Sequence, residues 1–388
     1  MSSCRSKWSS VRLSFHEKSV GTSHYDRFAF IGVHLRQKND SQIIGTSVLL
    51  YEARPFTAAI GRPGQWAGTV SEFDLIRNHF SRIGSQRADV ALGVGDDCAL
   101  LRVPQGYELA ASIDTLVAGV HFLPDCDPEG LGHKSLAVGL SDLAAVGAEP
   151  AWATLALTLP DADAAWLDAF SLGFDRLARS YGIALVGGDM TRGPLTITVQ
   201  IQGLVPAATA ILRRGARPGD LVCVSGTLGD AGLALRLLDA GEAVPEFLRG
   251  RLERPTPRVE LGLALRGTAT AMIDLSDGLA ADLGHILAAS GVGAEIRLPD
   301  LPLSRAVRDR LAADPDWGLP LAAGDDYELC FCVPEQKRAR ITALAERLGI
   351  RIQAVGRVQP EIGLRCLLGD GSIWDPGQSG YDHFPDAD

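Results

Sequence analysis

Aspartates recur in short glycine-flanked or turn-like motifs spread over more than 200 residues of this chain. The motifs are Gly95-Asp96-Asp97, Ile113-Asp114-Thr115, Ser141-Asp142-Leu143, Gly187-Gly188-Asp189, Asp274-Leu275-Ser276-Asp277-Gly278 and Gly324-Asp325-Asp326. Most follow an apolar run that predicts a strand, so we expect the carboxylates to converge at one edge of a sheet. Converging carboxylates repel one another unless cations neutralise them, and hard oxygen ligands select Mg2+, whose shell phosphate oxygens usually complete. The sequence therefore predicts a metal-rich site for a polyphosphate.

Taken singly, these motifs differ in how strongly they indicate function. Asp142 lies in a predicted helix that is otherwise almost wholly apolar, and aspartate is rarely buried unless it is paired or binds a metal. Gly95-Asp96-Asp97 and Gly324-Asp325-Asp326 are equally typical of turns. Ser276 or Asp277 could serve only as a helix N-cap. The recurrence of the motifs at the ends of elements favours a shared site.

The charge distribution limits the class of ligand. The chain has 388 residues and a net charge of −10, but residues 1–70 carry +5 and the remainder −15. An acidic body argues against a nucleic-acid partner and suits a protein that gathers cations. Its lysines are Lys134 and Lys337, and neither lies in a P-loop motif. Phosphate charge must therefore be balanced by metal, arginine and backbone N–H groups.

The cysteines and the apolar runs indicate the cellular setting. The seven cysteines are odd in number and form no Cys-x-x-Cys motif, which favours a reduced cytoplasmic protein over a disulfide or zinc protein. No apolar run reaches the roughly 18 residues that a membrane-spanning helix needs. We therefore expect a cytoplasmic protein with no membrane partner.

Three segments are expected along the chain. Residues 1–70 show no sustained helical or strand period and are expected to be a disordered extension or a start-site artefact. Val70 is a candidate initiator if its codon is GUG, and a transit peptide is the weaker alternative. Residues 71–206 are expected to form an N-terminal domain and residues 207–388 a C-terminal domain, because the polar cluster Arg214–Asp220 marks a boundary.

Both segments after residue 70 mix helices and strands. Hydrophobic spacing predicts helices over residues 73–83, 129–146, 163–181, 229–240, 257–266, 277–289 and 336–348, with a short helix in the loop of 300–320. Strands are predicted over residues 89–94, 98–102, 107–113, 151–159, 183–187, 195–204, 221–225, 269–273, 293–297, 327–333, 351–357 and 362–367. The sequence therefore predicts an α/β or α+β protein of two domains.

The motifs in their order closely resemble the thiamine-monophosphate kinase family. The resemblance covers residues 71–384 and is carried by Val94-Gly95-Asp96-Asp97-Cys98-Ala99, Asp114-Thr115-Leu116-Val117-Ala118-Gly119-Val120-His121-Phe122, Leu140-Ser141-Asp142-Leu143-Ala144-Ala145, Gly187-Gly188-Asp189, Ile273-Asp274-Leu275-Ser276-Asp277-Gly278-Leu279, Asp326-Tyr327-Glu328-Leu329-Cys330 and Gly380-Tyr381-Asp382-His383-Phe384. It implies the two-domain fold shared with aminoimidazole ribonucleotide synthetase. In that fold the strands of an N-terminal α/β domain form a barrel across a homodimer, and a C-terminal α+β domain packs against it.

The resemblance also implies a reaction and a set of site residues. The reaction would transfer phosphate from ATP to thiamine phosphate, giving thiamine diphosphate and ADP. By similarity, several Mg2+ ions would be bound by Asp96, Ser112, Asp114, Asp142, Asp189, Asp274 and Asp277. Asp114, Asp142 and Asp274 are the predicted catalytic carboxylates. ATP would contact Gly188, Asp189, Arg213 and Ser276, and thiamine phosphate would contact His121, Asp325 and Tyr381.

The chain departs from the family pattern without losing a metal-binding carboxylate. Ile113 replaces an expected Thr, Asp325 an expected Glu, and Ala323 an expected Gly. Met190 replaces a usual Thr and Gly139 a usual Asn. The shorter acid at position 325 is expected to reach thiamine differently.

Two alternatives remain open from the sequence. One is another ATP-dependent synthetase of the same superfamily, and a selenide enzyme of that kind should carry a reactive N-terminal Cys with a nearby Lys. The other is a non-catalytic nucleotide- or thiamine-phosphate-binding protein, in which the metal-binding aspartates need not be kept.

Overall fold

The computed structural model describes the backbone of residues 8–16, 30–37 and 72–374, and the side chains of residues 74–374. Strands β1 (Trp8–His16) and β2 (Phe30–Gln37) form an antiparallel pair and belong to a unit, Met1–Ala67, separate from the unit Gly68–Asp388. They lie where the sequence shows no sustained period. Tyr381 lies outside the described residues. The start at Val70 and the domain limits 71–206 and 207–388 stay predictions.

The N-terminal half alternates helices with strands. Its elements are α1 (Glu72–Leu75) with the π-helical turn Ile76–Phe80, β3 (Val90–Leu92), β4 (Leu100–Leu101), β5 (Tyr107–Val117), α2 (Pro128–Val146), β6 (Glu149–Leu159), α3 (Ala164–Ser180), β7 (Ala184–Arg192) and β8 (Thr196–Pro206). Helix α2 begins at an N-cap, Asp127, whose side chain accepts from the N–H groups of Glu129 and Gly130. It ends where Gly147 adopts a left-handed conformation.

Two strands run further than the sequence predicted. β5 was expected to end at Ile113 but continues to Val117, and β7 was expected to end at Gly187 but continues to Arg192. Asp114 and Asp189 therefore lie within strands, and the prediction that they follow strand ends is wrong. Successive side chains point to opposite faces of a strand, so a polar residue fits inside a strand whenever its face is partly open.

Four of these strands form one sheet in the order β5-β8-β6-β7. Only β6 and β7 pair in parallel; the other neighbours are antiparallel. Helix α2 packs on one face, here called the inner face, against β5 and β8. Leu116 and Val199 of the inner face belong to the main hydrophobic core. The expected barrel across a homodimer stays a prediction.

The C-terminal half builds a seven-stranded sheet flanked by helices. Its elements are β9 (Leu221–Ser225), α4 (Asp230–Asp239), α5 (Glu246–Glu253), α6 (Val259–Leu265), β10 (Ala271–Asp274), α7 (Leu279–Ser290), β11 (Gly293–Arg297), α8 (Arg305–Ala313), α9 (Gly318–Ala322), β12 (Leu329–Val333), α10 (Arg338–Leu348), β13 (Ile352–Gln359), β14 (Gly363–Leu367) and β15 (Ile373–Trp374). The sheet order is β10-β12-β9-β13-β11-β14-β15. The prediction omitted α5, α9 and β15, which are short and carry weak periodic signals.

One hydrophobic core joins the two halves. It contains Leu143 of α2 and Ile201 of β8 together with Leu261 of α6 and Phe331 of β12. Helix α2 packs against both α6 and β10, so it connects the two sheets. Among the described helices, none is long and apolar enough to cross a membrane.

Candidate active site

Carboxylates from three elements meet beside one cleft. Asp114 lies on the inner face of β5, Asp142 on α2, and Asp274 is the last residue of β10. The cleft has a volume of about 670 Å3 and is lined by Asp142, Asp274, Ser112 and Arg213 among others. Ser112, on the same strand face as Asp114, donates a hydrogen bond to Asp142 Oδ2. The structure thus brings together five of the predicted site residues.

Burial and mutual repulsion resist ionisation of this cluster. Burial, and then the charge of Asp142, raises the pKa of Asp114 to about 7. The same two causes raise the pKa of Asp274, whose exposure is only 5%, to about 8. Burial also raises the pKa of Asp142, against the opposing hydrogen bond from Ser112 and the charge of Arg213. Such a cluster is costly to ionise without a cation.

The donor set fits a hard divalent cation. Asp114 Oδ2 is buried and has no hydrogen-bond partner, so one carboxylate oxygen is free to coordinate. A nearby cation would also lower the raised pKa values of the three carboxyl groups. Among the side chains of residues 74–374, no set of three His, Cys, Asp or Glu groups is arranged to hold a metal by itself. Water and phosphate oxygens usually supply the remaining ligands of a protein-bound Mg2+.

The loop between β10 and α7 begins directly after Asp274 and carries Ser276 and Asp277. The carboxylate of Asp282, in the first turn of α7, accepts from the N–H groups of Asp277 at 3.1 Å and Gly278 at 3.2 Å. Burial raises the pKa of Asp282 to about 7. Asp282 was not among the predicted site residues, although an aspartate in the first turn of an apolar helix is a recognisable signal.

A second loop, which carries Asp325, packs on the first. The Asp325 N–H donates to the Ser276 carbonyl at 2.9 Å, and the Tyr327 N–H donates to the Leu275 carbonyl at 2.8 Å. The Asp325 carboxylate accepts from Lys134 Nζ at 2.6 Å and from the Tyr327 hydroxyl at 2.8 Å. The sequence shows Lys134 only as a rare lysine, and its contact with Asp325, 191 positions away, is not evident from the sequence.

His121 follows β5 in a turn. Its Nδ1 accepts a hydrogen bond from the Val117 N–H at 3.1 Å, which leaves Nε2 as the nitrogen that carries the proton in the neutral ring. The ring is half-buried. Arg213 is exposed and lines the cleft, where its charge opposes the rise that burial causes in the pKa of Asp142.

Asp96 and Asp189 are not part of the inner-face cluster. Asp189 lies on β7, the end strand opposite β5, and is paired in register with Ala156 on the outer face of the sheet. Three strand spacings place β7 about 14 Å from β5. Asp96 is exposed and lies between β3 and β4. Val90 of β3 and Leu101 of β4 pack on a hydrophobic cluster around Trp152, on the outer face of the sheet. The prediction that all of these carboxylates converge at one edge of a sheet is therefore wrong for a single chain.

Gly188 precedes Asp189 on the inner face of the sheet. A Cβ at this position would lie 1.9 Å from the Leu155 carbonyl oxygen of the neighbouring strand β6. The close approach that requires glycine here is an approach to protein backbone. Its predicted contact with ATP stays a prediction.

Comparison with known proteins identifies the family. Residues 95–205 match the AIR synthase related protein N-terminal domain, and residues 217–367 match the C-terminal domain of that family. The thiamine-monophosphate kinase of Escherichia coli (strain K12) is 50% identical over 320 residues, which cover 81% of this chain and 98% of that protein. The chain belongs to the thiamine-monophosphate kinase family. It is accordingly an enzyme of the kinase class.

Other relatives and solved structures support the family assignment. The thiamine-monophosphate kinase of Bacillus subtilis (strain 168) is 33% identical over 331 residues, 81% of this chain and 100% of that protein. The crystal structure of thiamine-monophosphate kinase from Stenotrophomonas maltophilia K279a has a TM-score of 0.71 and 47% identity, covering 74% of this chain and 93% of that one. AaThiL complexed with AMPPCP and TMP has a TM-score of 0.65 and 32% identity, covering 72% and 89%. The two-domain fold expected from the resemblance is confirmed.

Proposed function

We propose that this chain phosphorylates thiamine phosphate with ATP, giving thiamine diphosphate and ADP. The observation that carries the proposal is the convergence of Asp114, Asp142 and Asp274 beside a cleft that also contains Arg213. The similarity to the Escherichia coli thiamine-monophosphate kinase over 81% of this chain, and the likeness to AaThiL complexed with AMPPCP and TMP, support the choice of substrates.

The proposed magnesium ligands divide between the two faces of the sheet. Ser112, Asp114, Asp142 and Asp274 would act from the inner face with Asp277, while Asp96 and Asp189 would act from the outer face. When bound, Mg2+ would neutralise charge on the polyphosphate and the carboxylates and help align the reacting phosphates. Gly188, Arg213 and Ser276 are proposed to contact ATP, and His121, Asp325 and Tyr381 to contact thiamine phosphate.

The proposed chemistry is a direct transfer. A phosphate oxygen of thiamine phosphate attacks the γ-phosphorus of ATP, the new P–O bond forms, and the bond from the γ-phosphorus to the β–γ bridging oxygen breaks, with ADP leaving. The nucleophile is largely ionised at neutral pH because the second pKa of a phosphate monoester is about 6. The protein must bring two anions, thiamine phosphate and ATP, together. The positive charge of Arg213 in the cleft would reduce their repulsion.

Direct transfer predicts the stereochemical outcome. With a chiral γ-thiophosphate or isotopically chiral γ-phosphate, one in-line displacement should invert the configuration at phosphorus. The configuration of the product thiamine diphosphate measures this. Retention would indicate two displacements through a phosphoenzyme and would contradict the mechanism.

We further propose a homodimer in which Asp189 of one copy serves the cluster of the other. The support is geometric: Asp189 and Asp114 lie on opposite end strands and opposite faces of the sheet. The outer face also exposes large apolar side chains, Leu109 at 49% and Ile113 at 62%, which a second copy would cover. A cytoplasmic location stays a prediction.

The experiment that tests the activity compares acceptors. Full-length protein with Mg2+ and ATP is incubated with thiamine phosphate, with thiamine or with no acceptor, and products are separated by chromatography. Thiamine diphosphate formed only from thiamine phosphate is the expected result. ATP turnover without thiamine diphosphate would favour another synthetase of the superfamily, and ATP binding without turnover would favour a binding protein.

A further inference from the structure

Lys134 is a buried cation outside the predicted site. Its side chain is 4% exposed on α2, and its Nζ donates to Asp325 Oδ2 at 2.6 Å. Removing an ammonium group from water is costly, and a buried ion pair is often no more stabilising than well-packed apolar side chains. The pair between Lys134 and Asp325 therefore calls for an explanation other than stability.

The Asp325 carboxylate is held in one orientation. One oxygen accepts from Lys134, and the other accepts from the hydroxyl of Tyr327, a residue that is itself 5% exposed. The backbone of Asp325 has φ 62° and that of Tyr327 has φ 49°, a left-handed conformation that non-glycine residues seldom adopt and that tends to occur at functional sites. The side chain of Asp325 nevertheless stays 31% exposed, so its remaining lone pairs can accept from a ligand.

Lys134 also connects the two halves of the site. Two helical turns further along α2 lies Asp142, which belongs to the carboxylate cluster. Asp325 lies on the loop that hydrogen bonds to the backbone of Leu275 and Ser276. A contact from α2 to Asp325 therefore fixes the predicted acceptor-binding residue relative to the cluster.

We propose that Lys134 is a positioning residue that orients the Asp325 carboxylate. In that orientation the carboxylate accepts a hydrogen bond from an N–H group of thiamine phosphate. The inference rests on the proposed function, in which Asp325 contacts thiamine phosphate. The Lys134 ammonium group neutralises and anchors one oxygen of Asp325, and the exposed lone pairs then face the acceptor. Lys134 itself does not touch the reacting atoms.

The proposal predicts a selective kinetic effect. Lys134→Met keeps the length and apolar stem but removes the cation, so the KM for thiamine phosphate should rise about tenfold while the KM for ATP changes less than about twofold. Lys337→Met is the matched control: Lys337 donates to the carbonyls of Gly267 and Thr268 and should leave both KM values unchanged. Steady-state kinetics of the full-length chain measures both.

A double-mutant cycle separates positioning from a structural role. If Lys134 acts through Asp325, then Lys134→Met should add little to the effect of Asp325→Asn on the KM for thiamine phosphate. Additive effects, an equal rise in both KM values or no change in Lys134→Met would each overturn the proposal. If Lys134→Met fails to fold, Tyr327→Phe releases the other oxygen of Asp325. It should raise the same KM selectively, and an unchanged KM would count against the inference.

A binding measurement separates this inference from the proposed function. Calorimetry of thiamine phosphate with wild-type protein and Lys134→Met reports acceptor affinity without turnover. Weaker binding in the variant supports the role of Lys134 even if the wild-type protein formed no thiamine diphosphate. Equal binding to both proteins would overturn it whatever the activity.

Discussion

At the scale of the residue, the site is governed by carboxylates that resist ionisation. Burial and the charge of Asp142 raise the pKa of Asp114 to about 7 and that of Asp274 to about 8. The folded protein therefore retains protons on these groups in a pH range where the unfolded chain has lost them. The stabilisation from this proton uptake is greatest at low pH and is lost as the pH rises from about 4 to about 8.

This proton balance predicts how magnesium should affect stability. Mg2+ competes with the protons, so it should raise the Tm of the protein more at pH 8.5, where the carboxylates repel one another, than at pH 6. Thermal unfolding with and without Mg2+ at the two pH values measures this. Asp274→Asn should reduce the difference between them. Equal Tm shifts at both pH values in the wild-type protein would contradict the account.

Some residues of the candidate site could be predicted from the sequence, and others could not. Asp142 was identified correctly as unusual because it interrupts an apolar helix. The function of Lys134 was not predicted, because its meaning depends on a partner, Asp325, that lies 191 positions away. Asp282 was not predicted because its carboxylate accepts from the backbone N–H groups of Asp277 and Gly278, and the sequence does not show this contact.

At the scale of the element, α2 is the part that assembles the site. It carries Lys134 and Asp142, and it packs against β5, β8, α6 and β10. Helix α3 packs against α2. Gly173 of α3 allows that contact, because a Cβ there would lie 1.9 Å from the Glu129 carbonyl oxygen of α2.

The contact between α2 and α3 can be tested by adding one methyl group. Gly173→Ala forces the two helices apart and should lower the free energy of unfolding by about 3 kcal/mol. Gly250→Ala is the matched control: Gly250 lies within α5 with no atom within 4 Å of an added Cβ. It should be neutral or stabilising by about 0.5–1 kcal/mol. Denaturant unfolding measures both, and equal stability of the two variants would contradict the packing argument.

Periodicity predicted the long elements but not all of their ends. Helices α2 and α3 and strands β6 and β8 were predicted near their observed limits. β5 and β7 continue past the predicted ends because Asp114 and Asp189 occupy strand positions that a hydrophobic pattern treats as breaks. α5 was missed because a helix of eight residues with one buried side chain has little periodic signal.

At the scale of the whole molecule, the proposed magnesium-binding carboxylates lie in two separate groups. Within one chain, the sheet separates Asp114 on the inner face from Asp189 on the outer face. The sequence could not show this, because the motifs give residue types and order but not the face on which each side chain lies. A second copy resolves the separation if its β7 approaches β5 of the first.

Subunit complementation tests this arrangement. Asp142→Asn and Asp189→Asn homodimers should each be nearly inactive. After equal amounts are mixed and subunits exchange, mixed dimers contain one intact site, so activity should recover to about a quarter of the wild-type rate. The rate of thiamine diphosphate formation measures it, with the wild-type protein carried through the same mixing as control. If the mixture stays inactive after exchange is verified, Asp189 acts within its own chain.

The most direct test of the central claim is the kcat of Asp142→Asn for thiamine diphosphate formation. Asp142 adjoins Ser112, Asp114 and Arg213, so its loss should lower kcat at least about a hundredfold with the fold intact by circular dichroism. Asp309→Asn, a change of an exposed carboxylate on α8, should leave kcat unchanged. A near-normal kcat in Asp142→Asn would contradict the claim that the carboxylate cluster forms the kinase site.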